Sequence, residues 1–261
     1  MGFPNPSQID LEVRHRILVA TIRNPPHNHL SRRFFQELHD CRESFESEDV
    51  DAVLITGAGT AFSKGVDLKE LTANAGRLDT EAVLSGNEIF TFISELGKPV
   101  VAAINGACFG GGLELALACH IRVCSDRARF GLPELAAGVI PGLGGIARLV
   151  RVVGEAKALE MILLSDLIPA ERAMEMHLVS RVFPRKDFVE KAILFTRTIL
   201  TARRECIREV LDLVARSRTL DEGEAIRRAA ASFARLAASI AQPRSPNTTV
   251  AGEMPTAEST P

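Results

Sequence analysis

Two carboxylates constrain this chain more than any other feature, because each stands where a charge is hard to keep. Glu114 ends the stretch Gly110-Gly111-Gly112-Leu113-Glu114, and Glu134 follows twenty residues later in Leu132-Pro133-Glu134, ahead of Pro141-Gly142. A carboxylate in an apolar, glycine-rich setting is costly unless it is paired or functional. Two of them imply a pair doing acid–base work on one substrate, and so a fold that brings both turns to one place.

The surrounding pattern is α/β. Ile9–Val13 alternates and Ile17–Ile22 is nearly continuous, so both read as strands. The loop Asn24-Pro25-Pro26-His27-Asn28-His29-Leu30 cannot be helical. Ser31 reads as the N-cap of a helix running to about Glu46. Buried strands follow at Ala52–Thr56 and Val100–Ile104, with a helix over about 80–96 between them. The glycine triplet opens a helix over Leu113–Cys119. Ile121–Ser125 and Arg129–Gly131 read as strands, about 143–152, 155–164 and 170–176 as helices, and Val179–Phe183 as a last strand. Residues 186–241 alternate apolar and charged positions at helical spacing with no strand signal. Residues 242–261, rich in Pro, Ser, Thr and Glu, read as a disordered tail. The expected organisation is therefore a core over 8–185, a helical oligomerisation region over 186–241, and that tail.

A third segment, Phe62-Ser63-Lys64-Gly65-Val66-Asp67-Leu68-Lys69-Glu70, completes a set of three motifs. Together they resemble the crotonase family, the enoyl-CoA hydratases and isomerases, over about residues 10–240. The resemblance implies a spiral of strand–strand–helix units with C-terminal helices. It also implies two backbone N–H donors for a thioester oxygen, at Gly111 and at Lys64. A small residue is usual at the latter position, but the donor is main chain, so the substitution leaves it available. Hydratases that keep both acids hold a water between Glu114 and Glu134, and Gly142 matches the N–H that orients it. Isomerases typically keep only the second acid, so the pair favours hydration of a 2,3-unsaturated acyl-CoA. Asn28, His29, Leu30, Gly65, Asp67 and Leu68 match positions that contact substrate or its CoA moiety. Family members assemble as trimers, often paired into hexamers.

Simpler readings stand beside these. The glycine triplet also suits tight helix–strand packing. Glu114 alone would be an ordinary acid in the first turn of a helix, and Glu134 a loop carboxylate. His120, with Cys119 and Cys124 nearby, fits no zinc spacing and reads as a structural histidine. Gly57-Ala58-Gly59 lacks the third glycine of a dinucleotide fingerprint, since Phe62 stands there. Isomerisation, another crotonase reaction, a thioester carried on an acyl carrier protein, or a non-catalytic thioester binder all fit the same motifs.

Composition narrows the partners. A formal net charge of −2 gives no footprint for nucleic acid or a membrane surface. No apolar run reaches the roughly 18 residues that span a bilayer. The first residues lack a secretory pattern, and five cysteines in apolar or helical settings read as reduced thiols, so a cytoplasmic protein is expected. No metal or redox cofactor is implied; CoA belongs to the substrate.

Overall fold

The computed structural model describes residues 7–67 and 80–240. Leu68 and the tail expected over 242–261 lie outside the described residues.

The strands are β1 (Ile9–Arg14), β2 (Ile17–Ile22), β3 (Ala52–Gly57), β4 (Ala61–Ser63), β5 (Val100–Ile104), β6 (Ala107–Phe109), β7 (Ile121–Ser125), β8 (Arg129–Gly131), β9 (Ile168–Pro169) and β10 (Arg181–Phe183). A six-stranded sheet runs β1-β2-β3-β5-β7-β10, and a four-stranded one β4-β6-β8-β9. The pairs β3/β4, β5/β6 and β7/β8 each give their first strand to the large sheet and their second to the small one. Within both sheets these successive strands pair in parallel. Each unit is then followed by helix: α3 (Thr80–Glu95), α4 (Gly111–Ala118), and a 3-10 turn (Pro133–Ala137) with α5 (Gly145–Val153) and α6 (Glu155–Leu164). That repetition is the expected spiral of strand–strand–helix units.

Strands β3 and β5 are buried along their whole length, because parallel strands covered on both faces must be apolar on both. Val53, Ile55, Val100, Ala102 and Ile104 face a core shared with the site helices. Leu54, Val101 and Ala103 face the other way, onto Phe188, Ala192 and Ile193 of the helix α8 (Phe188–Ile199). The helix expected from Ser31 is capped as foreseen, with the Phe34 N–H donating to Ser31 Oγ at 3.2 Å. It is interrupted at Cys41, giving α1 (Arg32–Asp40) and α2 (Arg42–Glu46). After α7 (Ala170–Glu175) and α8, the chain ends its described part in α9 (Arg204–Arg216) and α10 (Glu222–Ile240), neither of which has a buried residue.

Candidate active site

All eight residues of α4 are buried, as an evenly apolar helix requires, and Glu114 in its first turn is only 2% exposed. Two backbone donors compensate the carboxylate. The N–H groups of Leu143 and Gly145, at the start of α5, both donate to Glu114 Oε1 at 2.8 Å. A Cβ on Gly145 would lie 2.7 Å from that oxygen, so the helix end meets the acid only through glycine. Its N-terminal dipole adds to the effect. Burial raises the Glu114 pKa, while the Gly145 and Leu143 N–H groups and the charge of Arg148 oppose the rise.

Glu134 sits in the 3-10 turn after β8, and its environment is different. Its Oε2 is buried with no hydrogen-bond partner among the described residues. Burial raises its pKa to about 7; a bond from its own backbone N–H opposes this, and the charge of Glu114 adds to it. The two carboxylates therefore feel one another but are held differently. Burial pushes both upward, but only Glu114 has two N–H donors and a nearby cation to oppose the rise. Such a pair can take a proton at one end and deliver one at the other.

The glycine triplet divides its labour, and both of its sequence readings apply. Gly110 adopts φ 54° and ψ −132°, and the site of its missing Cβ lies 3.2 Å from Glu134 Oε1. Gly112 packs against Ser63, whose carbonyl leaves no room for a side chain. Between them the Gly111 N–H has no acceptor among the described residues. Gly65 faces this N–H so closely that a Cβ there would lie 2.8 Å from the nitrogen. The structure thus brings Lys64-Gly65 and Gly111 to one spot. The Lys64 N–H itself is occupied, donating to the His27 carbonyl at 3.1 Å.

The loop before α1 reaches the same spot. Leu30 is buried, donates its N–H to the Gly65 carbonyl at 3.0 Å, and lays a methyl against Gly111. His29 Nδ1 is 3.0 Å from the same carbonyl. Asn28 turns inward: its Nδ2 donates to the Ala58 and Ala61 carbonyls and its Oδ1 accepts from the Asn24 N–H, so the side chain pins the loop. Asp67 is half-buried at the edge of the described segment, and Gly142 is exposed beside Val83. His120 lies away from the site. Its Nδ1 accepts the Val100 N–H at 3.0 Å, and burial lowers its pKa to about 4.

Leu143, Gly145, Arg148 and Asn87 went unread in the sequence. The first two act through main-chain N–H groups. The available signal was Gly144-Gly145 ahead of a helix, whose first N–H groups lack partners.

Comparison with known proteins agrees with this architecture. The family model for enoyl-CoA hydratase/isomerase matches residues 12–242. A Bacillus subtilis (strain 168) protein named a probable enoyl-CoA hydratase is 45% identical over 174 residues, covering 66% of this chain and 67% of its own. A glyoxysomal fatty acid beta-oxidation multifunctional protein of Cucumis sativus is 40% identical over 195 residues, 72% of this chain but only 26% of that longer one. Among solved structures, the enoyl-CoA hydratase of Bacillus anthracis superposes with a TM-score of 0.82 at 29% identity, covering 88% of this chain and 91% of that one. A Thermobifida fusca YX protein solved in complex with acetoacetyl-CoA gives 0.81 at 27% identity, covering 89% and 96%. The chain belongs to the enoyl-CoA hydratase/isomerase family, the crotonases.

Proposed function

We propose that this enzyme adds water syn across the double bond of a 2,3-unsaturated acyl-CoA thioester. The observation that carries the reading is the contrast between its two acids. Burial raises both, but two N–H donors and Arg148 oppose the rise at Glu114, whereas Glu134, with no partner at Oε2 among the described residues, is pushed up to about 7. Glu114 accordingly takes a proton from water, whose oxygen bonds to the β-carbon. Glu134 gives its proton to the α-carbon, and return of a proton from Glu114 to Glu134 through solvent resets the pair. As the α-carbon gains electron density, negative charge grows on the thioester oxygen. The Gly111 N–H meets that oxygen, joined by the Lys64 N–H once it exchanges the His27 carbonyl for the ligand. Each such donor contributes on the order of 3 kcal/mol. The Gly142 N–H orients the water. His29, Leu30, Gly65 and Asp67 border the thioester, with Asn28 holding their loop.

The acetoacetyl-CoA bound by the Thermobifida fusca protein supports a CoA substrate here. Proton transfers suffice for this reaction, so it calls on no metal or redox group, and CoA enters as part of the substrate. We place the reaction in the cytoplasm, in an assembly of three chains or two such trimers. Among the described residues no helix is long and apolar enough to cross a membrane.

The test is incubation with a series of 2-enoyl-CoA thioesters. Hydration bleaches the conjugated absorbance and yields a product heavier by one water. A gain of that absorbance from 3-enoyl thioesters, with no water added to 2-enoyl ones, would make the enzyme an isomerase.

A further inference from the structure

Arg148, in the first turn of α5, folds its guanidinium back over the loop that carries the Glu114 donors. Its Nη1 donates to the Leu143 carbonyl at 2.6 Å and to Asn87 Oδ1, on α3, at 3.0 Å. Its own N–H donates to the Gly144 carbonyl at 3.0 Å. Gly144 sits at φ +85°, and any Cβ there would collide with Nη1. Leu143 is therefore held at both backbone polar groups, its carbonyl by Arg148 and its N–H by Glu114 Oε1. Arg148 forms no salt bridge at contact distance among the described residues. Its charge is instead felt by Glu114 across the loop.

We propose that Arg148, braced by Asn87, is a positioning residue. It fixes the 143–145 backbone on the Glu114 carboxylate and supplies positive charge to it. Simple loop packing would need neither the charge nor the amide oxygen on a neighbouring helix. The groups bearing on Glu114 are Arg148 and the Gly145 and Leu143 N–H groups, and Glu114 in turn bears on Glu134. At Arg148 itself burial loosens the hold on the proton most, Glu114 and Cys119 oppose this, and Arg151 and Arg218 add to it. Removing the Arg148 charge therefore makes Glu114 harder to ionise, and the acidic limb of the rate profile moves to higher pH. The proposal rests on Glu114 being the base in the reaction proposed above.

The test uses the full chain with Arg148→Met, Arg148→Lys and Asn87→Ala. It follows kcat and KM for a 2-enoyl-CoA against pH, and titrates the Glu114 carboxyl by carbon-13 NMR, with its signal identified by its loss in Glu114→Gln. Arg148→Met is expected to lower kcat on the order of 10²-fold, the cost of a misplaced catalytic group, with KM little changed. The acidic limb and the Glu114 titration should rise together. Lysine should restore the titration but not all of kcat, since it keeps the charge and loses the planar fork. Asn87→Ala should lower kcat with the limb unmoved. Unchanged kcat and an unmoved Glu114 titration in Arg148→Met would overturn the proposal. So would activity lost only in proportion to melting temperature in all three variants. If the wild-type protein hydrates nothing while the Glu114 titration still rises in Arg148→Met, the reaction falls and the link between the two residues stands.

Discussion

At the scale of single residues, the two glutamates were legible because a carboxylate among glycines and apolar side chains has few structural uses. Their difference was not legible, since it depends on which backbone N–H groups the fold brings to each. That difference has a cost in stability. The folded pKa of Glu134, about 7, lies above its ordinary value of 4.5. Stability from this group is therefore fully present below about pH 4.5 and is lost as pH rises through 7. Calorimetry should show Glu134→Gln melting higher than wild type at pH 8 and level with it at pH 4.5, while its activity collapses. A variant less stable than wild type at pH 8 would mean the carboxylate is better solvated than its buried Oε2 implies. The proposed oxyanion donor at Lys64 makes a second prediction. Lys64→Ala should change turnover little, because the donor is main chain. Lys64→Pro should be severe, since it removes the N–H from both the His27 carbonyl and the ligand. Equal damage from alanine would show that the ammonium does chemistry.

At the scale of elements, the long apolar runs were readable and the short ones were not. Strands β2, β3 and β5 carry enough β-branched and aliphatic residues to declare themselves. Strands β4, β6 and β9, of two or three residues each, are too short to show any period. The turn between β1 and β2 is formed by His15 and Arg16, both at positive φ, without the Asn-Gly signature that announces such hairpins. The left-handed residues after α6 and α7 are Ser165 and His177, without the glycine that usually announces such a helix end. His120, unexplained by any metal spacing, joins α4's end to the start of β5 by accepting the Val100 N–H, which requires a neutral ring. Its folded pKa of about 4, below the ordinary 6.5, means this stabilisation is whole above pH 6.5 and is lost as pH falls toward 4. The loss amounts to up to about 3 kcal/mol, less what solvent at the ring's exposed edge recovers. Urea unfolding at pH 7 and pH 4.5 should show it, and His120→Gln should flatten the difference. An equally steep acid loss in that variant would assign it to other groups.

At the scale of the whole molecule, the sequence could show that residues 186–241 are amphipathic helices but not what covers them. An apolar stripe reads the same whether it faces its own sheet or another chain. The structure separates the two cases: Phe188 and Ile193 lie on the large sheet, whereas Leu194, Val210, Val214, Ile226 and Phe233 are exposed, the last by 74%. The trimer proposed above would cover apolar surface of this kind. Light scattering should therefore give three times the chain mass of 28.3 kDa or a multiple of that, unchanged on removing residues 242–261. A mass near 28 kDa would rule the assembly out. The fold brings the two acids to one place, where the charge of each bears on the proposed reaction. The direct measurement is the hydration rate of a 2-enoyl-CoA by Glu114→Gln and by Glu134→Gln, with thioester binding followed in parallel. Each change should lower turnover roughly 10²–10⁴-fold while binding stays within a few-fold of wild type. Near-normal turnover in Glu114→Gln would contradict the two-acid account.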